Sequence, residues 1–352
     1  MSVSEKPATA APPDRSAPSV DQVWRRRRTG DHLRLVQIGV VTAILCALPL
    51  FATDDYQFTV LGLMMIYAIA GVGFYLILGL SGQFAFSHAA TMGIGAYSAA
   101  YAARTHGFWL SLLFALVVCA VLAAIFKLLL WRASDFYFGI ATLGLASVTI
   151  IVFRAWEWFT GPASNTSMLT APTIFGHQVT TPAGYYALFV VFFVVAMLIV
   201  YRLRTSATYR EAIAVRDKPL TAAGLGIRNT RNQLVIFVVG SCYAAVAGAL
   251  YAQSQGFISS PSFDLNLGIN LFVVVIVGGM HSMWGSLLGA AFVVVLPELI
   301  RPAADHRQLI LAAVLVLTIV LLPEGLMGLA RPLTKRLGQA LGRGRNRKEV
   351  AP

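Results

Sequence analysis

Apolar residues run along this chain in long stretches, separated by short segments of Gly, Pro, Ser, Thr and charge. Ten such runs can be read in order: 35–52, 57–79, 89–103, 108–131, 136–158, 183–203, 233–255, 267–281, 284–300 and 308–323. A helix that crosses a bilayer needs about 20 mostly apolar residues. The pattern therefore predicts an all-α, polytopic transmembrane helical bundle of about ten spans, some of them short. No run shows the period-two alternation that a membrane β-barrel requires. Small residues recur at four-residue spacing on one run, as Gly240, Ala244, Gly248 and Ala252, and on another as Gly285 and Gly289. Such ridges let helix backbones approach closely in lipid, so tight packing within the bundle is expected there.

The polar segments orient these spans. Lys and Arg number 27, and 21 of them fall in three clusters of seven, at Lys6–Arg34, Arg202–Arg231 and Arg331–Lys348. Basic loops stay on the cytoplasmic side. Six runs separate the first cluster from the second and four separate the second from the third. Both counts are even, so all three clusters and both termini are expected in the cytoplasm. The connection 159–182 contains no Lys or Arg and should face outward. Residues 1–34 carry Pro7, Pro12, Pro13 and Pro18 without apolar periodicity and read as a disordered basic tail. Residues 35–330 form the membrane domain, with a cytoplasmic loop at 204–231, and 331–352 form a second basic tail. Arg25 to Arg28 ahead of an apolar run imitates a twin-arginine signal, yet 35–52 exceeds a signal-peptide core and lacks a small-residue exit, so a retained span is expected.

Composition agrees. Of 352 residues, 57% are hydrophobic and 12% charged, against about 45–50% apolar and 25% charged in ordinary soluble domains. A water-soluble enzyme is excluded. The net charge of +12 belongs to the three orienting clusters, which favour anionic lipid rather than nucleic acid. Cys46, Cys119 and Cys242 each stand alone in an apolar run and read as small core residues, with no zinc site or disulfide framework.

Catalytic and nucleotide-binding motifs are missing. None of the five lysines follows a glycine, which removes the P-loop. No nucleophile elbow, no H-E-x-x-H and no metal-ligand spacing occurs, so no catalytic residue, metal or cofactor is expected. Few ionisable groups lie within the apolar runs, which weakens an ion-coupled carrier or a proton pump.

Two segments break the hydropathy pattern in an informative way. Gly79 to Tyr97 reads GLSGQFAFSHAATMGIGAY and brings Gln83, Ser87 and His88 to membrane depth. Irregular backbone is tolerated there when it lines a cavity. A substrate pathway lined by these three residues and an ordinary cytoplasmic hairpin are equally compatible with the sequence. Tyr209 to Ile227 reads YREAIAVRDKPLTAAGLGI inside the second basic cluster. Asp217, Lys218 and Pro219 resemble a helix start, with Asp217 capping, and Gly224 with Gly226 should end that helix. Ala222, Ala223 and Gly224 would give it a shallow surface fit for another protein's groove, unless it is an amphipathic connection lying on the membrane.

At these residues the chain resembles the inner-membrane permease subunits of ABC importers for branched-chain amino acids, the LivM-like branch most closely. Four stretches carry the resemblance: GLSGQFAFSHAATMGIGAY from Gly79, REAIAVRDKPLTAAGLGI from Arg210, GGMHSMWGSLLGA from Gly278 and LLPEGLMGL from Leu321. The resemblance implies a multi-pass, non-catalytic subunit of the bacterial inner membrane. It would pair with a second, related permease as a heterodimer, be driven by two cytoplasmic ABC ATPase subunits that bind the ATP, and receive substrate from a periplasmic binding protein. It assigns ATPase coupling to Arg210, Glu211, Ala212, Arg216, Asp217, Ala222, Gly224, Leu225, Gly226 and Ile227. The chain departs from the family pattern at His281, where glycine is usual, and at Glu324, where arginine is usual. The run T-G-P-A-S-N-T from Thr160 matches the family's outward loop only loosely. These departures leave the expected fold unchanged and widen the substrate class to urea, short amides, and aromatic or other carboxylates. A stand-alone carrier is the competing class.

Overall fold

The computed structural model describes residues 37–50, 54–133, 135–161, 165–167, 173–174, 177–300, 316–318, 320–322 and 325–328. The expectations for both basic tails, for Glu324 and for most of the run 308–323 lie outside these residues. The chain divides into two units between Leu45 and Cys46. The first is described from residue 37 and holds all but the last two residues of helix α1, Gln37–Ala47, whose Thr42 hydroxyl donates to the Ile38 carbonyl at 2.8 Å.

The second unit is a bundle of α-helices: α2 Asp55–Phe74, α3 His88–Ala103, α4 Phe108–Leu129, α5 Asp135–Ala155, the single turn α6 Glu157–Thr160, α7 Pro182–Thr205, α8 Ala207–Asp217, α9 Pro219–Gly224, α10 Asn229–Gln255, α11 Leu265–Gly278 and α12 Gly285–Leu299. Six helical stretches among the described residues are long and apolar enough to cross a membrane. The sequence predicted about ten. Three of the other four runs are short: α1 and α12 are shorter apolar helices, and α3, at 16 residues, rises only about 24 Å against a hydrocarbon core of about 30 Å; the fourth, 308–323, lies mostly outside the described residues.

Helices α2, α3 and α10 form the centre, with α7, α11 and α12 packed around α2 and α4 laid across α3 and α10. Of the most apolar window of α2, 78% is buried inside the protein, against 28% for α4. The outward-facing Leu, Val, Ile and Trp residues of α4 and α5 therefore form a surface for lipid or another apolar partner. Central packing depends on the small residues read from the sequence. A side chain at Gly248 would overlap the carbonyl of Met92 on α3, one at Gly289 would overlap Val274 on α11, and one at Gly73 would come within 2.6 Å of the Gly240 carbonyl. Cys119 is buried in this core with its thiol 3.4 Å from the Ser241 carbonyl, and Cys242 is half-buried. Cys46, expected in the core, is exposed, an orientation a thiol tolerates because it is small and apolar.

Short strands join the helices at one end. β1, Asn165–Ser167, pairs antiparallel with β4, Phe257–Ser259, in the register Asn165 to Ser259. β2, Thr173–Ile174, pairs with β3, His177–Gln178. The connection 159–182 is thus tied by backbone to the segment after α10. Thr160 is fully buried and donates to the carbonyls of Phe153 and Trp156 at 2.8 and 3.0 Å. At this same end Tyr56 donates to Glu298, at 2.8 Å.

Candidate functional site

The opposite end holds both segments that interrupt the hydropathy pattern. Helix α2 continues beyond Phe74 as a π-helical turn, Tyr75–Leu80. Ser81 N–H reaches back five residues to the Leu76 carbonyl at 3.2 Å, and Gln83 N–H reaches the Ile77 carbonyl at 3.0 Å. Such widened turns recur at functional positions because they redirect backbone carbonyls. Gly82 then takes φ +73, a conformation that glycine alone adopts without cost, and α3 starts at His88.

Most of the break is buried. Gln83, Ser87 and His88 are each at most 2% exposed, while Phe84 between them is 44% exposed. Gln83 Nε2 donates to Ser81 Oγ at 2.6 Å and to the Gln233 carbonyl at 3.3 Å. His88 Nε2 lies 2.9 Å from the Ala70 carbonyl. A carbonyl only accepts, so Nε2 carries the proton and Nδ1 faces the interior as an acceptor. The imidazole also packs on Phe74, with ring centroids 5.0 Å apart. Gln83 Oε1, Ser87 Oγ, His88 Nδ1 and Ser241 Oγ are buried without a hydrogen-bond partner. Buried polar atoms are ordinarily satisfied by protein or water, so these four carry unused hydrogen-bonding capacity. Groups of His, Cys, Asp or Glu able to hold a metal are absent among the described residues.

The basic segment folds over this break. Ser206 caps α8, its hydroxyl accepting from Tyr209 N–H at 3.3 Å. Tyr209, Ala212 and Val215 make the buried face of α8. The Tyr209 hydroxyl accepts from Arg204 Nε at 3.1 Å and lies 3.2 Å from the Tyr75 hydroxyl. Arg216 donates through Nη1 to the Gly79 carbonyl, while its Nε and Nη2 each lie 2.9 Å from Asp217 Oδ1. Asp217 does not cap a helix start, as the sequence predicted. It ends α8, and the position ahead of Pro219 is held by Lys218 without a side-chain cap. The neighbouring guanidinium engages the carboxylate that would have capped.

Helix α9 is short and open on one side. Ala222 faces inward and is buried, as is Ala212; their side chains floor the segment. Leu220 and Leu225 are 89% and 78% exposed, and a side chain at Gly224 would meet nothing within 4 Å. Gly226, at φ +80, turns the chain, and Ile227 N–H closes on the Ala222 carbonyl at 3.1 Å. Asn229 Nδ2 donates to the Pro219 carbonyl at 3.0 Å and fastens α9 to α10. Glu211 Oε2 accepts from Asn232 Nδ2 at 3.3 Å. Arg210 is exposed and donates to the Thr205 carbonyl at 3.2 Å. Beside these residues lies a polar cleft of about 460 Å³ lined by Thr208, Glu211, Gly226, Arg228, Arg231 and Asn232.

The other two recognised stretches meet here as well. A side chain at Gly79 would collide with the Met280 carbonyl, and one at Gly278 with the backbone of Gly285. Gly325, at φ +73, sits so close that its own Cβ would lie 2.5 Å from Gly279 Cα. His281 is exposed in the turn between α11 and α12. Four stretches separated by more than 240 residues along the chain therefore share one end of the bundle. Sequence reading missed Tyr75, Tyr209 and Gln233, because nothing in their local pattern separates a buried tyrosine hydroxyl from an interfacial one.

Residues 56–322 match the family described as branched-chain amino acid transport system / permease component. The chain is 30% identical over 306 residues to the high-affinity branched-chain amino acid transport system permease protein LivM of Salmonella typhimurium, covering 79% of this chain and 72% of that protein. Its identity to LivM of Escherichia coli is 29% over 300 residues, covering 78% and 70%. LivH of Salmonella typhimurium is 26% identical over 174 residues, covering 49% and 53%. No solved structure matches the chain. With six membrane-capable helices, the protein is a multi-pass protein of the inner membrane. It belongs to the family of branched-chain amino acid transport system permease components.

Proposed function

We propose that this chain is one of two related permease subunits that together enclose the path of a branched-chain or similar hydrophobic amino acid into the cell. As a permease component it is not an enzyme. Two cytoplasmic ATPases would supply the work and bind the ATP, and a periplasmic binding protein would deliver the substrate. The observation that carries this reading is the segment 204–231. It presents exposed Leu220, Gly224 and Leu225 outward while its inner face holds the turn at 79–88. Two exposed leucines beside an open glycine form the small apolar knob that fits a groove in a soluble partner. Arg210, Glu211, Asp217, Gly226 and Ile227 frame that knob, and buried Ala212 and Ala222 support it.

About ten spans with both termini in the cytoplasm remain the favoured topology. The pairing of β1 with β4 and the contact of Arg216 with Gly79 support it, because alternating spans require each of those pairs to share a side. Gln83, Ser87 and His88, with unpartnered polar atoms in the interior, are the proposed pathway contacts.

Affinity purification of the chain from its own membrane, followed by identification of the bound subunits and an ATPase assay, tests the proposal. Recovery of a second permease and two ATPases is the expected result. Recovery of the chain alone, with uptake that survives ATP depletion and collapses with the ion gradient, would overturn it in favour of a stand-alone carrier.

A further inference from the structure

The last turn of α2 leaves the Gly79 carbonyl without a backbone donor. In a regular helix the Gly79 carbonyl would accept from residue 83. Gln83 N–H instead goes to the Ile77 carbonyl, at 3.0 Å. Arg216 Nη1 fills the vacancy from an element 137 residues away in sequence. A cation at a helix C-terminus is held both by the exposed carbonyl and by the negative end of the helix dipole. The guanidinium is fixed from behind by Asp217, with two nitrogens 2.9 Å from one carboxylate oxygen. Its aliphatic stem lies against Gly82, where a Cβ would come within 2.8 Å of Arg216 Cγ. About two turns back along α8, the hydroxyls of Tyr209 and Tyr75 meet at 3.2 Å.

We propose that Arg216 is a positioning residue that clamps α8 to the C-terminal turn of α2, so that displacement of the 204–231 segment moves the turn 81–87. The inference rests on the importer reading and reassigns Arg216 from an ATPase contact to an internal link. A charge-assisted hydrogen bond to a backbone carbonyl, braced by a carboxylate, resists pulling better than apolar contact alone, because it is directional and fails only when broken. The Tyr75–Tyr209 pair provides a second, weaker attachment. Motion at α9 would reach Gly79 through Asp217 and Arg216, with two peptide units between carboxylate and helix start.

Phe84 offers a reporter, since it lies in the turn and its side chain is 44% exposed. The subunit complex carrying Phe84→Cys would be labelled with a maleimide, without nucleotide and after vanadate trapping with ATP, with labelling of the parent chain subtracted. With Arg216 present, trapping should change the labelling rate by about fivefold or more, the lower end of ordinary inter-site coupling. In Arg216→Gln the change should vanish although the ATPases still co-purify, and Arg216→Lys, which keeps a cation near the carbonyl, should recover part of it. An undiminished change in Arg216→Gln, or none in the Arg216 chain, would overturn the link. Loss of the ATPases from Arg216→Gln would make Arg216 a docking contact and overturn it equally. Absence of ATPases from the Arg216 chain itself would remove the importer reading, and the link with it.

Discussion

The two ends of the bundle are built on different principles. At the end that holds β1 and β4, segments are joined through a backbone ladder, the β1–β4 pair, through the buried Thr160 hydroxyl on Phe153 and Trp156, and through the exposed contact of Tyr56 with Glu298. At the other end, glycines let backbones touch and a few long side chains reach across, with Arg216 on Gly79 and Tyr209 on Tyr75. Ladders fix many atoms at once and open only cooperatively, whereas single side-chain links can shift one at a time. The first end is suited to holding its geometry and the second to changing it.

The largest expected effect tests whether the glycine contacts are as unforgiving as the geometry requires. Gly278→Val would drive a branched side chain into the backbone of Gly285. Overpacking of this kind costs about 1–3 kcal/mol or more, and the variant should be recovered from the membrane in much reduced amount or with a clearly lowered melting temperature in detergent. Unchanged yield and melting would mean that α11 and α12 separate easily and that the glycine contacts do not hold this end together.

Gly224→Asp sharpens the contrast from the exposed side. Nothing lies within 4 Å of a side chain there, so melting should match that of the unmodified chain. Recovery of the ATPases should nevertheless fall by about tenfold, which corresponds to about 1.4 kcal/mol of lost association. Normal ATPase recovery would remove α9 from the docking surface.

Thr160→Ala probes the laddered end. It removes a buried hydroxyl that donates to two carbonyls and should cost about 1 kcal/mol, measured as a modest fall in melting temperature, with uptake per folded molecule unaltered. A transport defect without a stability loss would show that this end also moves. The smallest effect on folding is expected for Ser87→Ala, since the Ser87 hydroxyl has no partner among the described residues. Its melting should be unchanged, while a shift in the KM for leucine uptake would support a pathway role and an unaltered KM would argue against one.

Much of this organisation is visible in the sequence, though unevenly. The apolar runs identify the helices, since burial and lipid contact both demand unbroken apolar stretches. The spacing of Gly240, Ala244 and Gly248 announces a close helix contact, because glycine and alanine are the residues that permit one. The glycines at 79, 278 and 325 mark breaks, but the meeting of their segments in space depends on contacts between distant parts of the chain. No local pattern encodes those. Asp217 was misread for a related reason: a capping residue is defined by which donor it meets, and Arg216 competes for it successfully. The strands within 159–182 were hidden because β1 has its partner beyond α10, at 257–259. The run 89–103 forms a helix buried on nearly every side, which its hydropathy alone does not reveal, since Ala and Gly satisfy that pattern whether their neighbour is lipid or protein.

The crossing of α10 with α3 has a bearing on how such a chain can diversify. At Gly248 any side chain would occupy the space of the Met92 carbonyl, and at Gly95 it would strike the backbone of Ala245. Those positions admit no experiment by mutation, because even a methyl group spreads the central helices. The outward residues of α4 and α5, by contrast, touch little of their own chain. Adaptation to a new companion subunit or a new lipid can proceed along that surface while the axis of the bundle stays closed to change.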